Sequence, residues 1–265
     1  HPDFAIPGKK PVTDVGSLAI ADDWKGRILQ AWMPTHGSRL YDVANNKFLS
    51  VPGGNTQAGK QGLVVDTAKT SIATRADITN INKEEGCHVV CCSPDVLNTN
   101  HYIFDSTGSR QLSFFTSFGE LEYYANGSQR VAKSLSGFVN AGDYINIVYE
   151  WPSSRIWING KLFDDGTDSS ISSIGTELTL FTRFTGAESL DGKRVFFETV
   201  NGPCNGQNLS SDPYQILKST TQTGYFTAEA ATGDFTLAAD SGAYTYTGTA
   251  AAIISARLLT ADSGS

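Results

Sequence analysis

Helical periodicity is almost missing from this sequence, and so is any long apolar run. No segment approaches the ~20 apolar residues that span a membrane as a helix, so no membrane insertion is expected. Lysine and arginine never cluster beyond Lys9-Lys10, and the formal charge is −7. The basic face that a nucleic-acid partner requires is therefore missing. No Gly-x-Ser-x-Gly elbow, zincin motif or P-loop occurs. The four histidines, His1, His36, His88 and His101, stand far apart along the chain, which weakens a Ser-His-Asp arrangement without removing it. The opening residues, HPDFAIPGKKPV, lack an initiator methionine and the apolar core of a signal peptide, so His1 reads as a processing point or an arbitrary edge.

Cysteine is sparse and uneven. Cys87, Cys91 and Cys92 crowd into GCHVVCCSPD, and Cys204 stands alone in NGPCNGQ. On a strand, Cys87, Val89 and Cys91 face one way while His88, Val90 and Cys92 face the other, so these ligands cannot converge on a metal. Buried structural thiols are expected. Adjacent Cys91 and Cys92 make poor disulfide partners, which leaves the redox compartment open.

What the sequence has is aromatic and turn-rich. Among 265 residues are 14 Phe, 10 Tyr, 4 Trp and 26 Gly, a composition suited to a packed β protein. Strands are expected at 27–33, 62–67, 87–93 and 101–106. A meander over 111–134 turns at Ser117–Gly119 and Asn126-Gly127, and further strands follow at 143–151, 155–163, 177–184 and 192–200. In SRIWINGKLFDDG, Asn159-Gly160 sits between two short runs, and both residues accept the positive φ of a type I′ hairpin turn. In DYINIVYE, Ile145, Ile147 and Tyr149 alternate with Tyr144, Asn146 and Val148. One helix is expected, over 209–219, with Ser210 or Ser211 as N-cap and Pro213 in its first turn.

These elements predict an all-β fold, a two-sheet antiparallel jelly-roll sandwich over 23–218. An extended N-terminal arm, 1–22, precedes it. An Ala/Thr/Gly-rich tail, 219–265, follows; LAADSGA at 237–243 recurs as LTADSGS at 259–265, and TGDFT at 232–236 echoes SGAYT at 241–245. Small β units repeated in this way present edges that need neighbours, which points to assembly and a homo-oligomer.

The order of several weak motifs carries a resemblance. AGDYINIVYE, then RIWINGKLF, then ELTLFTRF is similar to the later strands of LamG-like, concanavalin A-like sandwiches. WKGRILQAWMPTHGSRLYDVANNKF, with Trp32, Tyr41 and Asp42, resembles the opening of LamG-type domains in phage structural proteins. NLSSDPYQILKS and the Ala-Asp-Ser-Gly tail resemble the segment that closes those domains and the repeats appended to them. The resemblance covers roughly 24–218 plus the tail. It implies a virion protein of the capsid-decoration, fibre or tail kind, placed on the particle surface among other virion subunits, and presenting a surface to host glycans. A carbohydrate-binding module of a secreted or surface protein, hence extracellular, is the alternative.

Some concanavalin A-like sandwiches are glucanases, with an acidic Glu-x-Asp-x-Glu triplet on one strand. In GELEYY the nearest match is Glu120 and Glu122, followed by Tyr124, so the triplet is broken. The expectation is a chain without enzymatic activity, a glycoside hydrolase or lyase using Glu120 and Glu122 being the reading set aside. No cofactor is expected beyond Ca²⁺, for which Asp164, Asp165 and Asp168 in FDDGTDSS are the oxygen ligands to consider. Sugar binding needs exposed aromatics beside polar groups, and Tyr123, Tyr124, Trp151 and Trp157 are the candidates.

Overall fold

The computed structural model describes residues 18–35, 39–50, 56–59, 62–65, 74–166, 170–185, 188–219, 234–239 and 242–247. The chain divides into two units, 1–220 and 221–265. In chain order the first unit contains β1 Leu18–Ile20, β2 Ile28–Thr35, β3 Arg39–Asp42, β4 Lys47–Ser50, β5 Thr56–Gly59, β6 Gly62–Val65 and β7 Thr74–Asp77. Next come β8 Gly86–Pro94, β9 His101–Ser106, β10 Gln111–Phe115, β11 Glu120–Ala125, β12 Ser128–Ser134 and β13 Ile145–Trp151. The remainder are β14 Arg155–Ile158, β15 Lys161–Asp165, β16 Glu177–Leu180, β17 Gly192–Asn201, α1 Gly206–Ser211 and β18 Leu217–Ser219.

The fold is the expected antiparallel sandwich. A larger, ten-stranded sheet runs β15-β14-β13-β8-β17-β2-β3-β4, with β5-β6 joined through β17. A six-stranded sheet runs β12-β11-β10-β9-β16-β7. Between them lies the main core, in which Tyr149, Ile147, Ile145 and Val90 of the larger sheet meet Phe104, Phe115, Leu121 and Tyr123 of the smaller. Alternation along β13 supplies this directly: Ile145, Ile147 and Tyr149 point inward, while Val148 packs on the opposite face.

The outer face of the larger sheet is covered as well. Cys87, Val89, Cys91, Phe196 and Val200 pack there with Leu209, Tyr214 and Ile216 from the segment after β17, and with Leu18 of β1. Strand β1 pairs with β18, so the two ends of the body close over this face together. Burial on both sides explains why GCHVVCCSP is buried at every position: with no solvent face, the strand has no need to alternate. The three cysteines split as the strand geometry requires, Cys92 inward and Cys87 and Cys91 outward.

The Asn-Gly corners form as expected. Asn159 (φ 49°) and Gly160 (φ 78°) take the left-handed conformation, as do Asn126 and Gly127. At the first corner the loop is also a dock. The Asn159 side chain accepts from the Asn146 amide at 2.8 Å, and the Gly160 amide donates to Ser210 Oγ at 3.0 Å. The corner is architecture: it seats α1 against the sheet.

The expected helix is shifted and divided. Asn205 caps α1 by accepting from the Asn208 amide, and Asp212 caps a separate 3-10 turn over Pro213–Ile216. The residue before a proline is pushed out of the helical region, so Asp212-Pro213 divides the expected helix into two short pieces.

Across the main core runs a buried polar chain. Trp32 Nε1 donates to Gln30 Oε1 at 2.9 Å, and Gln30 Nε2 donates to Thr199 Oγ1 at 2.9 Å. His88 Nδ1 lies 3.0 Å from Thr199 Oγ1, and His88 Nε2 lies 3.0 Å from Gln111 Oε1. Gln111 Nε2 is 3.3 Å from the Tyr123 hydroxyl. Each donor meets an acceptor if Nε2 carries the His88 proton and Nδ1 accepts from Thr199, which assigns the tautomer from the network. His88 thus ties one sheet to the other.

In the second unit, β19 Asp234–Ala239 and β20 Gly242–Thr247 form an antiparallel hairpin with Phe235 opposite Tyr246 and Leu237 opposite Tyr244. The second copy of the repeat, 259–265, lies outside the described residues.

Candidate functional site

Strands β9, β10 and β11 of the smaller sheet place three aromatic rings side by side on its outer face. In β10, Ser113 and Phe115 point into the sandwich, so Phe114 between them points out. In β11, Leu121, Tyr123 and Ala125 are buried in the core, leaving Glu120, Glu122 and Tyr124 half-buried on the outer side.

Tyr102 reaches this face through a bulge. In the β9–β10 ladder Ser113 opposes Phe104, but Phe114 opposes Tyr102, so Ile103 is the extra residue. Ile103 and Phe104 both pack inward, and the alternation reverses across them. A bulge that re-aims a side chain in this way is a recurring device in sheets.

The three rings are nearly parallel. Tyr102 and Phe114 have centroids 4.9 Å apart with planes 16° apart, and Phe114 and Tyr124 are 6.2 Å and 19° apart. The first pair is directly opposed; the second is diagonal, since Tyr124 opposes Leu112. Polar groups flank the strip. The Tyr124 hydroxyl donates to Glu122 Oε2 at 2.9 Å. At the other end the Arg183 guanidinium lies 5.7 Å from the centre of the Tyr102 ring and pairs with Glu188 at 3.2 Å. Partial burial raises both tyrosine pKa values, and for Tyr124 the hydrogen bond to Glu122 adds to the shift. Both phenols therefore stay protonated and able to donate at neutral pH.

Of the four aromatics singled out in the sequence, only Tyr124 belongs to this strip. Tyr123 is fully buried between the sheets, and Trp151 is buried with its indole donating to the Asn82 carbonyl at 2.8 Å; both are core residues rather than surface rings. Trp157 does leave the opposite face from Ile156 and Ile158, but it lies half-buried beneath α1, where its indole donates to Glu150 Oε2 at 3.1 Å. The Gly206 amide donates to the other oxygen of the same carboxylate at 2.6 Å. Glu120 and Glu122 sit on β11, one strand in from the edge formed by β12. They share a face with the aromatic strip.

The calcium ligands do not assemble among the described residues. Asp165 is bonded to Arg155 at 2.6 Å, Asp164 lies 3.6 Å from the Lys133 ammonium, and Asp168 lies outside the described residues. No group of three His, Cys, Asp or Glu side chains among the described residues is placed to hold a metal.

No protein-family model matches the chain, and no curated protein matches it significantly. Solved structures do. Domain 4 of AbnA, a GH43 extracellular arabinanase from Geobacillus stearothermophilus, in complex with arabinotriose, superimposes with a TM-score of 0.54 at 13% identity, over 71% of this chain and 98% of that domain. The Trypanosoma rangeli sialidase in complex with sialic acid matches with a TM-score of 0.52 at 12% identity, over 72% of this chain. This chain spans about a third of the length of that sialidase, covering 34% of it. These likenesses show the fold, a β-sandwich shared with domains of carbohydrate-active proteins. They also correct one expectation. The broken acidic triplet suggested a chain without enzymatic activity; with sialidases and an arabinanase domain among its structural neighbours, that reading is withdrawn.

Proposed function

We propose that this chain binds carbohydrate on the outer face of the smaller sheet, through Tyr102, Phe114 and Tyr124. The observation that carries the reading is the aromatic strip itself: three near-parallel, half-buried rings on three consecutive strands. The apolar C–H face of a sugar packs against such rings, while flanking polar groups hold its hydroxyls. Glu122 and the Tyr124 hydroxyl at one end, and the Arg183–Glu188 pair at the other, are placed for that second task. The fold shared with an arabinanase domain solved with arabinotriose supports the same reading.

A glycan array carrying arabino-oligosaccharides and sialylated glycans, probed with wild type and with Tyr102→Ala/Tyr124→Ala, tests it. Signal on at least one glycan class that disappears in the double variant is expected. Equal signal from both proteins would overturn the assignment of the site.

The finer reading rests on the sequence resemblance and the tail repeat: display on a virus particle, with the 1–22 arm or the 219–265 tail joining neighbouring subunits, so that the sandwich meets glycans of a host surface. An extracellular binding module is the alternative. Copurification of the chain with a particle would favour the first; a monomer that binds sugar without any particle would favour the second.

A further inference from the structure

We infer that Cys87 and Cys204 form an oxidisable pair that closes into a disulfide, fastening the segment after β17 onto β8. The backbone brings the two together. Val200 opposes Cys87 and Asn201 opposes Gly86 in the β17–β8 ladder, and the Gly202 amide then donates to the Glu85 carbonyl at 2.9 Å. Gly202, with φ +90°, bends the chain away from the ladder. Beyond the bend Cys204 packs against the outer face of the larger sheet, where Cys87 points. Cys204 Sγ is 3.2 Å from the Gly202 carbonyl, and the Cys204 side chain packs on the same cluster as Cys87, near enough to add to burial in raising the Cys87 pKa.

The other two cysteines are excluded by direction and position. Cys92 faces between the sheets, and Cys91, on the same outer face as Cys87 but four residues further along β8, packs in the cluster with Tyr214. The two thiols also differ in access. Cys87 is fully buried, and burial holds its pKa well above the ordinary thiol value, whereas Cys204 is partly exposed. Thiol exchange requires a thiolate with access to solvent, so Cys204 reacts first. Its thiolate attacks one sulfur of a small-molecule disulfide such as glutathione disulfide, releasing one glutathione thiolate. The Cys87 thiol then gives up its proton and displaces the second glutathione thiolate, forming the Sγ–Sγ bond. Two protein thiols are oxidised and one glutathione disulfide is reduced to two glutathiones.

The test is native incubation of the full chain with glutathione disulfide, alkylation of the remaining thiols, and peptide mapping without reduction. Two of the four thiols should become protected, with the peptides of Cys87 and Cys204 cross-linked. Oxidation should raise the Tm by roughly 5–10 °C, as a long-loop disulfide does. Cys204→Ser, at a partly exposed position, should lose both effects, while Cys91→Ser should keep them. Four alkylatable thiols after oxidation, a stable glutathione adduct on Cys204, or a cross-link through Cys91 or Cys92 would each overturn the pairing.

Discussion

Acid should destabilise this protein through His88. The side chain is fully buried, with ring centroids of Phe104 and Trp151 each 5.0 Å away and that of Phe197 5.4 Å away. Its two nitrogens are engaged by Thr199 and Gln111. Burial disfavours the imidazolium and lowers the pKa from 6.5 to about 4, with the Gln111 hydrogen bond opposing. Below about pH 6.5 the unfolded chain takes up a proton at this site that the folded chain refuses until about pH 4. Stability therefore falls as pH drops through that window. At about 1.4 kcal/mol per pH unit the loss between pH 7 and pH 4 is on the order of 3 kcal/mol. For a body of this size that is roughly 6–12 °C in Tm. Scanning calorimetry from pH 7 to pH 4 on wild type and His88→Gln isolates it, because every other titrating group is common to both. The variant should melt lower at pH 7, having disturbed the chain of bonds to Gln111, and should lose less on acidification, so the gap narrows toward pH 4. Parallel curves, or a His88 that titrates near 6.5 by NMR, would refute the reasoning.

Other outcomes follow from the same structure. Glu198 is fully buried, neither carboxylate oxygen has a hydrogen-bond partner, and desolvation raises its pKa well above the carboxylate range. Folding therefore favours the protonated carboxyl, so Glu198→Gln should raise Tm at pH 7, with the gain shrinking toward pH 4 as the unfolded chain also takes up the proton; calorimetry at the two pH values reads it. A Cβ at Gly86 would meet Trp151 Cζ2 at 2.4 Å and the Val200 carbonyl at 2.5 Å. Because one of those neighbours is backbone, Gly86→Ala should destabilise by about 2 kcal/mol or more in urea unfolding. Removing 221–265, a unit distinct from 1–220, should leave the sandwich's melting transition in place; under the proposed role of the tail in assembly, light scattering should show the full chain larger than a monomer and the truncated chain monomeric, and equal sizes would remove the tail from that proposal.

Much of the architecture was legible because turn chemistry and period-two alternation are local. Asn159-Gly160 and Asn126-Gly127 fixed two hairpins, and parity along β8 separated Cys92 from Cys87 and Cys91. The candidate site was far less so. Tyr124 was singled out, but Tyr102 and Phe114 were not. Simple alternation gives Tyr102 the same direction as Phe104, and only the bulge at Ile103 reverses it. A bulge depends on pairing with another strand and leaves no mark in a single run of residues. Phe114 had a signal: of the adjacent Phe114 and Phe115, one must face away from the core. Tyr123 and Trp151 went to the core because a ring's fate depends on which sheet covers it, and covering is a long-range property. Likewise, the helix boundary failed where Asp212-Pro213 hands α1 to a second cap, a break that periodicity alone did not show.

The most direct test of the central claim is titration calorimetry with the best glycan from the array, on wild type and Phe114→Ala. Phe114 stands at the middle of the strip and contributes no core contact between the sheets. Affinity should fall tenfold or more, given the ~1.4 kcal/mol that a lost aromatic contact of this kind represents, while the melting temperature stays close to that of wild type. Unchanged affinity in a folded variant would contradict the account.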